Sequence, residues 1–360
     1  MNAGILSDSE AGRRVLAGSD TRSQAIFTPR SSPGDSRIAT LDAARLVALI
    51  AIIFIHTVEA PSLQRISLIG TFGVPFYLFA SLYFQARSIK RHPQRLLQQY
   101  IIERFQRLYI PFLAWTAIYL LARNAKHLLL VHDGQFSGSM SHLWTGGAHH
   151  LWFLPLLFVV TIFTAVLGRL SSQSETWRWR IIAISAMIGT ILAVVPRPQW
   201  LNYAQGEEAV FYLQCWKALP SVFLGLSLAW WLAWDCEDLL FSHALGFAGM
   251  LLTIAMLANQ IISGYSRIDR TLSGLGWLLA AMAAWRGPWV NWMASVGRKS
   301  YGVYLAHVLV IEAVQTIAHR SGIGSSIGLD LFTISVGFSV ALAITMAIAR
   351  SSYTRWINGD

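Results

Sequence analysis

Residues 41–60 read LDAARLVALIAIIFIHTVEA, and this stretch decides the fold class. It is almost wholly apolar and about twenty residues long, which is the length that an α-helix needs to cross a hydrocarbon core of about 30 Å. Four ionisable side chains, Asp42, Arg45, His56 and Glu59, interrupt the apolar sequence. Such groups are costly inside a bilayer, so they are expected to face the interior of a helix bundle.

The rest of the chain repeats this pattern. Of its 360 residues 54% are hydrophobic and 13% are charged, and the mean hydropathy is +0.48. Soluble domains carry about 25% charged residues. We therefore predict an all-α integral membrane protein, a bundle of about ten transmembrane helices within the lipid bilayer. The predicted spans are residues 40–59, 67–85, 109–131, 150–167, 181–195, 210–234, 239–263, 272–285, 301–318 and 328–349.

The basic residues predict the orientation of these spans. Most of the 28 Lys and Arg residues fall in segments that ten alternating spans would place on the side of the N-terminus. Because basic loops are retained in the cytoplasm, both termini are predicted to be cytoplasmic. The acidic loop near Asp235 does not follow this pattern. The net charge of +10 is thereby explained by topology, and we expect no nucleic-acid partner.

Three regions are predicted along the chain. Residues 1–37 are polar and lack an apolar run, so they form a disordered cytoplasmic tail. Residues 38–350 form the transmembrane domain, and residues 351–360 form a short cytoplasmic C-terminal tail. Residues 86–108 are too basic to span, and we predict that they form an amphipathic helix on the inner surface. In that helix Leu96, Ile101 and Phe105 would face the acyl chains.

Arg45 and His56 lie on one face of the first predicted span. Eleven residues turn an α-helix about 20° past three full turns and advance it by about 16 Å. Asp42 is on a neighbouring part of that face. His56 is a candidate general base or acyl acceptor because an imidazole titrates near neutral pH, and Glu59 is placed to orient it. The alternatives are a snorkelling arginine and a buried histidine with one hydrogen bond.

Two further groups of residues fall at predicted membrane depth. His149, His150 and Trp152 lie at the outer end of the fourth span, where an interfacial aromatic belt with solvated histidines is the alternative. Ser300, Tyr301, Tyr304 and His307 enter the ninth span, and the last three share one helix flank because they are three residues apart.

A last group lies at the inner end of the third span. Arg104 and Arg107 are three residues apart and are followed by Tyr109. Two guanidinium groups at this spacing suit phosphate oxygens, although ordinary cytoplasmic arginines have the same appearance.

Together these segments resemble the membrane-bound acyltransferase family 3 over about residues 38–350. Five motifs occur in the family's order and in the matching spans. Leu82 departs from them, since the family commonly has glycine at that position. The motifs are Asp42, Arg45 and His56; Gly70 to Tyr77, leading into Ser81 and Phe84; Arg104, Arg107, Tyr109 and Pro111; His150, Trp152 and Phe153; and Gly297, Ser300, Tyr301, Tyr304 and His307.

The resemblance implies an enzyme that moves an acyl group, generally acetyl, from acetyl-CoA to a carbohydrate of the cell envelope. The stand-alone form resembles the O-acetyltransferases of exopolysaccharide and other surface glycans in the bacterial inner membrane. It implies no permanently bound cofactor and no metal. The expected partners are acetyl-CoA, a polysaccharide or lipid-linked oligosaccharide acceptor, and other polysaccharide-assembly proteins.

The resemblance also assigns roles to residues. Arg45 would hold the donor or polarise its thioester, and Arg104 and Arg107, with Tyr109, would bind the donor. His56 would deprotonate the sugar hydroxyl or carry the acyl group, with His150 as its partner. The residues expected to line the cavity are Asp42, Glu59, Trp152, Ser300, Tyr301, Tyr304 and His307.

Three other functions fit a polytopic protein of this kind. A transporter or flippase of a glycan intermediate would also have a polar stripe and histidines at membrane depth. A glycan polymerase or ligase would have large outer loops, whereas the longest predicted outer loop here is residues 123–149. A scaffold without activity would not need a buried arginine and histidine.

Overall fold

The computed structural model describes residues 33–131, 138–171, 174–202, 206–234, 242–283 and 285–359. Within these ranges all regular structure is helical, which confirms the all-α prediction. Of the predicted N-terminal tail, residues 1–32 lie outside the described residues, and residues 33–37 belong to the first helix. The helices are α1 (Pro33–Thr57), α2 (Gln64–Ser67), α3 (Gly73–Arg91), α4 (Leu97–Arg104), α5 (Ile110–Lys126), α6 (His142–Thr145), α7 (Phe153–Ser171), α8 (Glu175–Val194), α9 (Gly206–Trp234), α10 (His243–Ser263), α11 (Arg267–Met282), α12 (Pro288–Gly297), α13 (Ser300–Arg320) and α14 (Ile327–Arg350).

Eight helical segments of the described chain are long and apolar enough to cross a membrane, so the protein is a multi-pass membrane protein. They include α1, α3, α7, α8, α9, α10, α13 and α14. The other two predicted spans coincide with α5 and α11, which have 17 and 16 residues. At 1.5 Å per residue α11 is about 24 Å long, somewhat less than the hydrocarbon core, and α5 is about 26 Å long but is extended by a π-helical turn at each end. The count of ten spans therefore stays a prediction.

Serine side chains set the start of several helices. The side chain of Ser174 accepts the N–H of Trp177 at 3.2 Å, and α8 consequently begins at Glu175, six residues before the predicted fifth span. Ser242, Ser266 and Ser326 cap α10, α11 and α14 in the same manner. A serine at this position satisfies one of the free N–H groups of the first turn, so it stabilises the helix where the apolar pattern alone gives no boundary.

The first span occupies the centre of the bundle. Helix α1 packs against α3, α11, α12, α13 and α14. Where α12 crosses α1, a side chain at Gly297 would overlap with the carbonyl oxygen of Asp42, so only glycine permits this approach. The crossing brings the start of α13 next to the part of α1 that carries Asp42 and Arg45.

The predicted amphipathic helix at 86–108 is wrong as a single surface helix. Residues up to Arg91 belong to α3, residues 92–96 form a turn, and α4 begins at Leu97. Helix α4 then continues through a π-helical turn, Phe105–Tyr109, into α5. The basic residues before the turn thus lie at the end of the spanning helix α3, and Arg104 and Arg107 lie on α4 and on the π-helical turn. In the turn region Arg95 pairs with Glu103 and holds the pKa of that carboxyl below its ordinary value.

The segment before α7 also differs from its prediction. We expected residues 123–149 to form an outer loop, but residues 141–142 and 145–148 are buried in the bundle beside α5. The Tyr109 hydroxyl donates to the carbonyl oxygen of Leu143 at 2.8 Å. Gly146 has φ = +87°, a conformation that favours glycine, and reverses the chain toward α7. The segment therefore re-enters the bundle, with His150 buried inside it and His149 at its exposed edge.

Candidate active site

A cavity of about 340 Å³ opens between α1, α3, α7 and the start of α13. This volume is within the usual range for a small-molecule site, about 300–1,000 Å³. Its walls are mixed, with aromatic and aliphatic side chains between a few polar groups. The lining residues are Arg45, Ile52, Val74, Tyr77, Ser81, Phe84, Arg104, Leu108, Phe153, Leu157, Thr161, Arg298, Ser300, Tyr301 and Tyr304.

Three guanidinium groups give this cavity a positive charge. Arg45 comes from α1, Arg104 from α4 and Arg298 from the junction of α12 and α13. The guanidinium of Arg104 also lies 4.9 Å from the centre of the Tyr100 ring. No carboxylate lines the cavity among the described residues, and of the three guanidiniums Arg45 is paired with a carboxylate, that of Asp42, behind the cavity wall. Such a space favours an anionic ligand with several oxygens.

Arg45 is held in place from two sides. Its Nη1 lies 2.7 Å from Oδ1 of the buried Asp42, and its guanidinium lies 5.3 Å from the centre of the Phe84 ring. The backbone is fixed as well, because the Tyr77 hydroxyl donates to the Arg45 carbonyl at 2.7 Å. These contacts leave the guanidinium ordered at the cavity wall instead of extended to the membrane surface.

Four histidines, His56, His149, His150 and His307, form a cluster next to the deep end of this cavity, on the other side of Tyr304. Nε2 of His149 lies 3.0 Å from Nδ1 of His56. The ring centres of His56 and His307 are 5.4 Å apart, and those of His150 and His307 are 5.0 Å apart. A hydrogen bond between two imidazole nitrogens requires one of them as an acceptor, so at least one ring of the His56–His149 pair is neutral. In the described part of the chain, no group of histidine, cysteine or acidic side chains has the arrangement of a metal site.

His307 presents a free nitrogen to the interior. Its Nδ1 lies 2.7 Å from the carbonyl oxygen of Tyr304, and a carbonyl only accepts, so Nδ1 carries a proton. Nε2 is buried and bonds to no group of the described residues. A neutral His307 therefore has an unused lone pair inside the bundle, because the proton resides on the other nitrogen.

Tyr304 joins the cavity to the histidine cluster. Its side chain lines the cavity, and its hydroxyl donates to the His150 carbonyl at 2.5 Å. The Tyr119 hydroxyl bridges the backbone of Leu305 and Leu309 at 2.9 and 3.1 Å, and its ring centre lies 5.3 Å from that of His150. Elements far apart in the sequence are thus tied together around His150.

The structure brings some predicted site residues together and separates others. Ser300, Tyr301 and Tyr304 line the cavity with Arg45 and Arg104, and His56, His150 and His307 share the cluster. Glu59 pairs with His319 at 2.9 Å, and the neighbour of the His56 ring is His149. Asp42, Glu59, Trp152, His307, Arg107 and Tyr109 lie outside the cavity lining among the described residues.

Sequence reasoning missed three residues of the site. Arg298 and Tyr77, to which no role was assigned, line the cavity. His149, which was grouped with His150 but given no role, contacts His56. Arg298 is two residues before Ser300, so a basic residue next to the Ser-Tyr motif was an available signal. The position of His149 had none, because it depends on how the preceding segment re-enters the bundle.

The family comparison covers nearly all of this architecture. A family model described as an acyltransferase domain, that of acyltransferase family 3, matches residues 38–350. The chain therefore belongs to this family of acyltransferases. A search of curated proteins gave no match. The matched region contains every residue of the cavity and of the histidine cluster.

Proposed function

We propose that the protein transfers an acetyl group from acetyl-CoA to a sugar hydroxyl of an exopolysaccharide or another cell-envelope glycan. The observation that carries this proposal is the arrangement of the two parts of the site. A cavity with three guanidinium groups leads to Tyr304, and the four-histidine cluster lies directly behind that residue. Phosphate-binding groups and proton-accepting groups are therefore adjacent but separate.

The cavity suits the phosphates and pantetheine arm of the donor. Arg45, Arg104 and Arg298 would neutralise phosphate oxygens by forked, charge-assisted hydrogen bonds. Arg107 is exposed near the same helix end and would contribute only at the entrance. Along α1, Arg45 and His56 are separated by about 16 Å, a distance comparable to an extended pantetheine arm. The thioester would then reach the histidines while the phosphates stay at the arginines.

The histidines suit the transfer step. The sugar oxygen would attack the thioester carbonyl carbon, a C–O bond would form, the C–S bond would break, and the hydroxyl proton would pass by way of His56 to the departing thiolate. If Nδ1–H of His56 donates to Nε2 of His149, then Nε2 of His56 is free to accept that proton. General-base catalysis of this kind is worth about 10²–10⁴ in rate. His150 and His307 would position the acceptor.

The proposal includes a location. We infer that the protein lies in a bacterial inner membrane with both termini in the cytoplasm, so that the arginine cavity meets acetyl-CoA and the cluster meets the acceptor. Both would bind transiently, and the protein would hold no permanent cofactor. Other polysaccharide-assembly proteins are expected to supply the glycan.

The test is the acetyl ester content of the host's surface polysaccharides. The gene is deleted and then restored as wild type, as His56→Ala, or as His243→Ala. His243 is a matched control because it is exposed at the start of α10, away from both the cavity and the cluster. We expect one glycan to lose its acetyl esters on deletion, and wild type and His243→Ala to restore them. His56→Ala, expressed at the same level, should restore less than about 1%, as the loss of a general base implies.

Other results would contradict the proposal. If the glycan itself disappears on deletion, the protein exports or assembles it. If His56→Ala restores the acetyl esters fully, the reaction does not pass through this cluster. If no surface glycan changes, the acceptor is not a cell-envelope carbohydrate.

A further inference from the structure

Two cations surround Tyr265, in the connection between α10 and α11. Nζ of Lys217 lies 5.1 Å from the centre of the Tyr265 ring, and Nη1 of Arg270 donates to the Tyr265 hydroxyl at 3.3 Å. The side chain of Arg270 is only 6% exposed, and its Nε is buried without a hydrogen-bond partner in the described residues. The side chains of Lys217 and Arg270 thus both interact with that of Tyr265.

Within the part of the chain that the structure describes, no carboxylate pairs with either cation, Lys217 or Arg270. The neighbouring Asp269 accepts from the amide of Asn259 at 2.7 Å. Arg267 has a different role, because it donates to the carbonyl oxygens of Leu192 and Val195 at the end of α8. A buried cation such as Arg270 needs a partner, so an anion that also reaches the half-exposed Lys217 would complete this group of residues.

Lys217, Tyr265 and Arg270 lie where lipid head groups are expected. Helix α10, a spanning helix, ends at Ser263 and α11 begins at Arg267, so Tyr265 and Arg270 are at the end of the apolar region. Lys217 is at the same level, because Ser221, one turn further along α9, contacts Thr271 at 3.0 Å. Tyrosine also favours this interface.

The group formed by Lys217, Tyr265 and Arg270 is at the same end of the bundle as His56. The segment after α1 is tied to the last turn of α10, where the Thr71 hydroxyl donates to Gln260 at 2.7 Å. One residue away, Asn259 bonds to Asp269 in the first turn of α11. Arg270 and the C-terminal end of α1 therefore face the same side of the membrane.

We propose that Lys217 and Arg270, with the Tyr265 hydroxyl, bind the phosphate of an anionic lipid on the membrane face where His56 lies. Lysine and arginine donate to phosphate oxygens, and the Tyr265 hydroxyl, which accepts from Arg270, has its own proton to donate to a third oxygen. Under the proposed function, on which this second part rests, the phosphate belongs to the carrier of a lipid-linked glycan. The carrier would thereby hold the sugar near the histidine cluster.

The test is lipid retention by the purified full-length protein. The protein in detergent is titrated with dioleoyl phosphatidylglycerol or with a polyprenyl phosphate, and bound lipid is counted by native mass spectrometry. We expect Lys217→Gln and Arg270→Gln each to weaken phosphate-lipid binding about fivefold, the usual effect of one basic residue near a membrane surface. Lys217→Arg should keep the affinity. Arg65→Gln removes an exposed cation at the same end of the bundle and should have no effect.

The outcomes distinguish a glycan carrier, a phospholipid and the absence of a lipid site. A larger loss for polyprenyl phosphate than for phosphatidylglycerol supports the carrier of the acceptor, and an equal loss supports a phospholipid. Unchanged binding of both lipids to Lys217→Gln overturns the proposal, and this half-exposed position decides alone if Arg270→Gln does not fold. Because retention needs no acyl transfer, its failure is distinguishable from a failure of the proposed function, which the acetyl esters report.

Discussion

At the scale of single residues, fixed charge and titratable groups occupy different parts of the site. The guanidiniums of Arg45, Arg104 and Arg298 line the cavity. The imidazoles of His56, His150 and His307 have ring nitrogens that can accept or donate a proton, and they lie behind Tyr304. The first group is suited to holding a charged donor, and the second is suited to moving a proton.

Arg298 gives a prediction for the donor. We expect Arg298→Gln to raise KM for acetyl-CoA about 10- to 150-fold and to change kcat less than twofold, because a charge-assisted hydrogen bond to phosphate is worth about 1.5–3 kcal/mol. The dependence of KM on ionic strength should also weaken, since one cation is lost. Steady-state kinetics in proteoliposomes measures both.

The neighbouring Lys299 provides the control for this prediction. It is not part of the cavity lining, so Lys299→Gln should leave KM unchanged. Equal effects of the two substitutions would mean that the general positive charge of this membrane face attracts acetyl-CoA, and that Arg298 does not bind it directly.

Part of the site could be predicted from the sequence. Helical periodicity places Arg45 and His56 on one face, and both lie in the bundle interior, one at the cavity and one at the cluster. Periodicity could not predict that His149 contacts His56, because the two residues are 93 positions apart and belong to different elements. For the same reason it gave Glu59 the wrong neighbour, since Glu59 pairs with His319 on α13.

At the scale of elements, the re-entrant segment before α7 determines where His149 and His150 lie. Gly146 has φ = +87°, and a Cβ added there would lie 2.7 Å from the Cβ of Leu151. We expect Gly146→Ala to destabilise the protein by about 1–3 kcal/mol through backbone strain and crowding, and to reduce acyl transfer more than donor binding. Thermal unfolding in detergent and single-turnover kinetics measure these effects.

Gly264 is the matched position for this prediction. It has φ = +88°, but a Cβ there would meet no atom within 4 Å of the described structure. Gly264→Ala therefore carries the same backbone strain without the crowding, and it should retain acyl transfer. If both variants lose activity equally, the strained backbone alone is responsible and the position of the segment is not.

Elements with a strong apolar pattern could be predicted, and those that depend on contacts could not. In the described part of the chain, eight of the predicted spans match helices that are long and apolar enough to cross a membrane, because burial in lipid requires a continuous apolar run with internal hydrogen bonds. The segments at 86–108 and 123–149 are partly polar, and they were predicted to be a surface helix and an outer loop. Residues such as Thr145 and His150 are instead buried by packing against α5 and α13, which a local sequence pattern does not contain.

At the scale of the whole molecule, the number of crossings decides which surface meets which compartment. In a protein without its two cysteines, we expect Met140→Cys and Gln64→Cys to react with an impermeant maleimide from one side of the membrane. Gln94→Cys should react from the other side. All three positions are exposed, and the result follows if the 17-residue α5 crosses the membrane.

The position at 94 also serves as the internal standard for sidedness. If Met140→Cys reacts together with Gln94→Cys, then α5 does not cross. The re-entrant segment, with both of its histidines, would then begin on the side of the arginine cavity, and the donor and acceptor would approach the cluster from one compartment.

The thin partition at Tyr304 has an electrical consequence. The cavity reaches Ile52, one helical turn from His56, while the exposed His149 lies at the other end of the site. Water-filled space carries little of the transmembrane voltage, so most of the voltage drop falls across the layer that contains His56, His150 and His307. A full elementary charge crossing that layer would gain or lose about 2.3 kcal/mol per 100 mV. The side of the membrane from which a proton reaches His56 therefore determines whether the membrane potential favours or opposes the reaction.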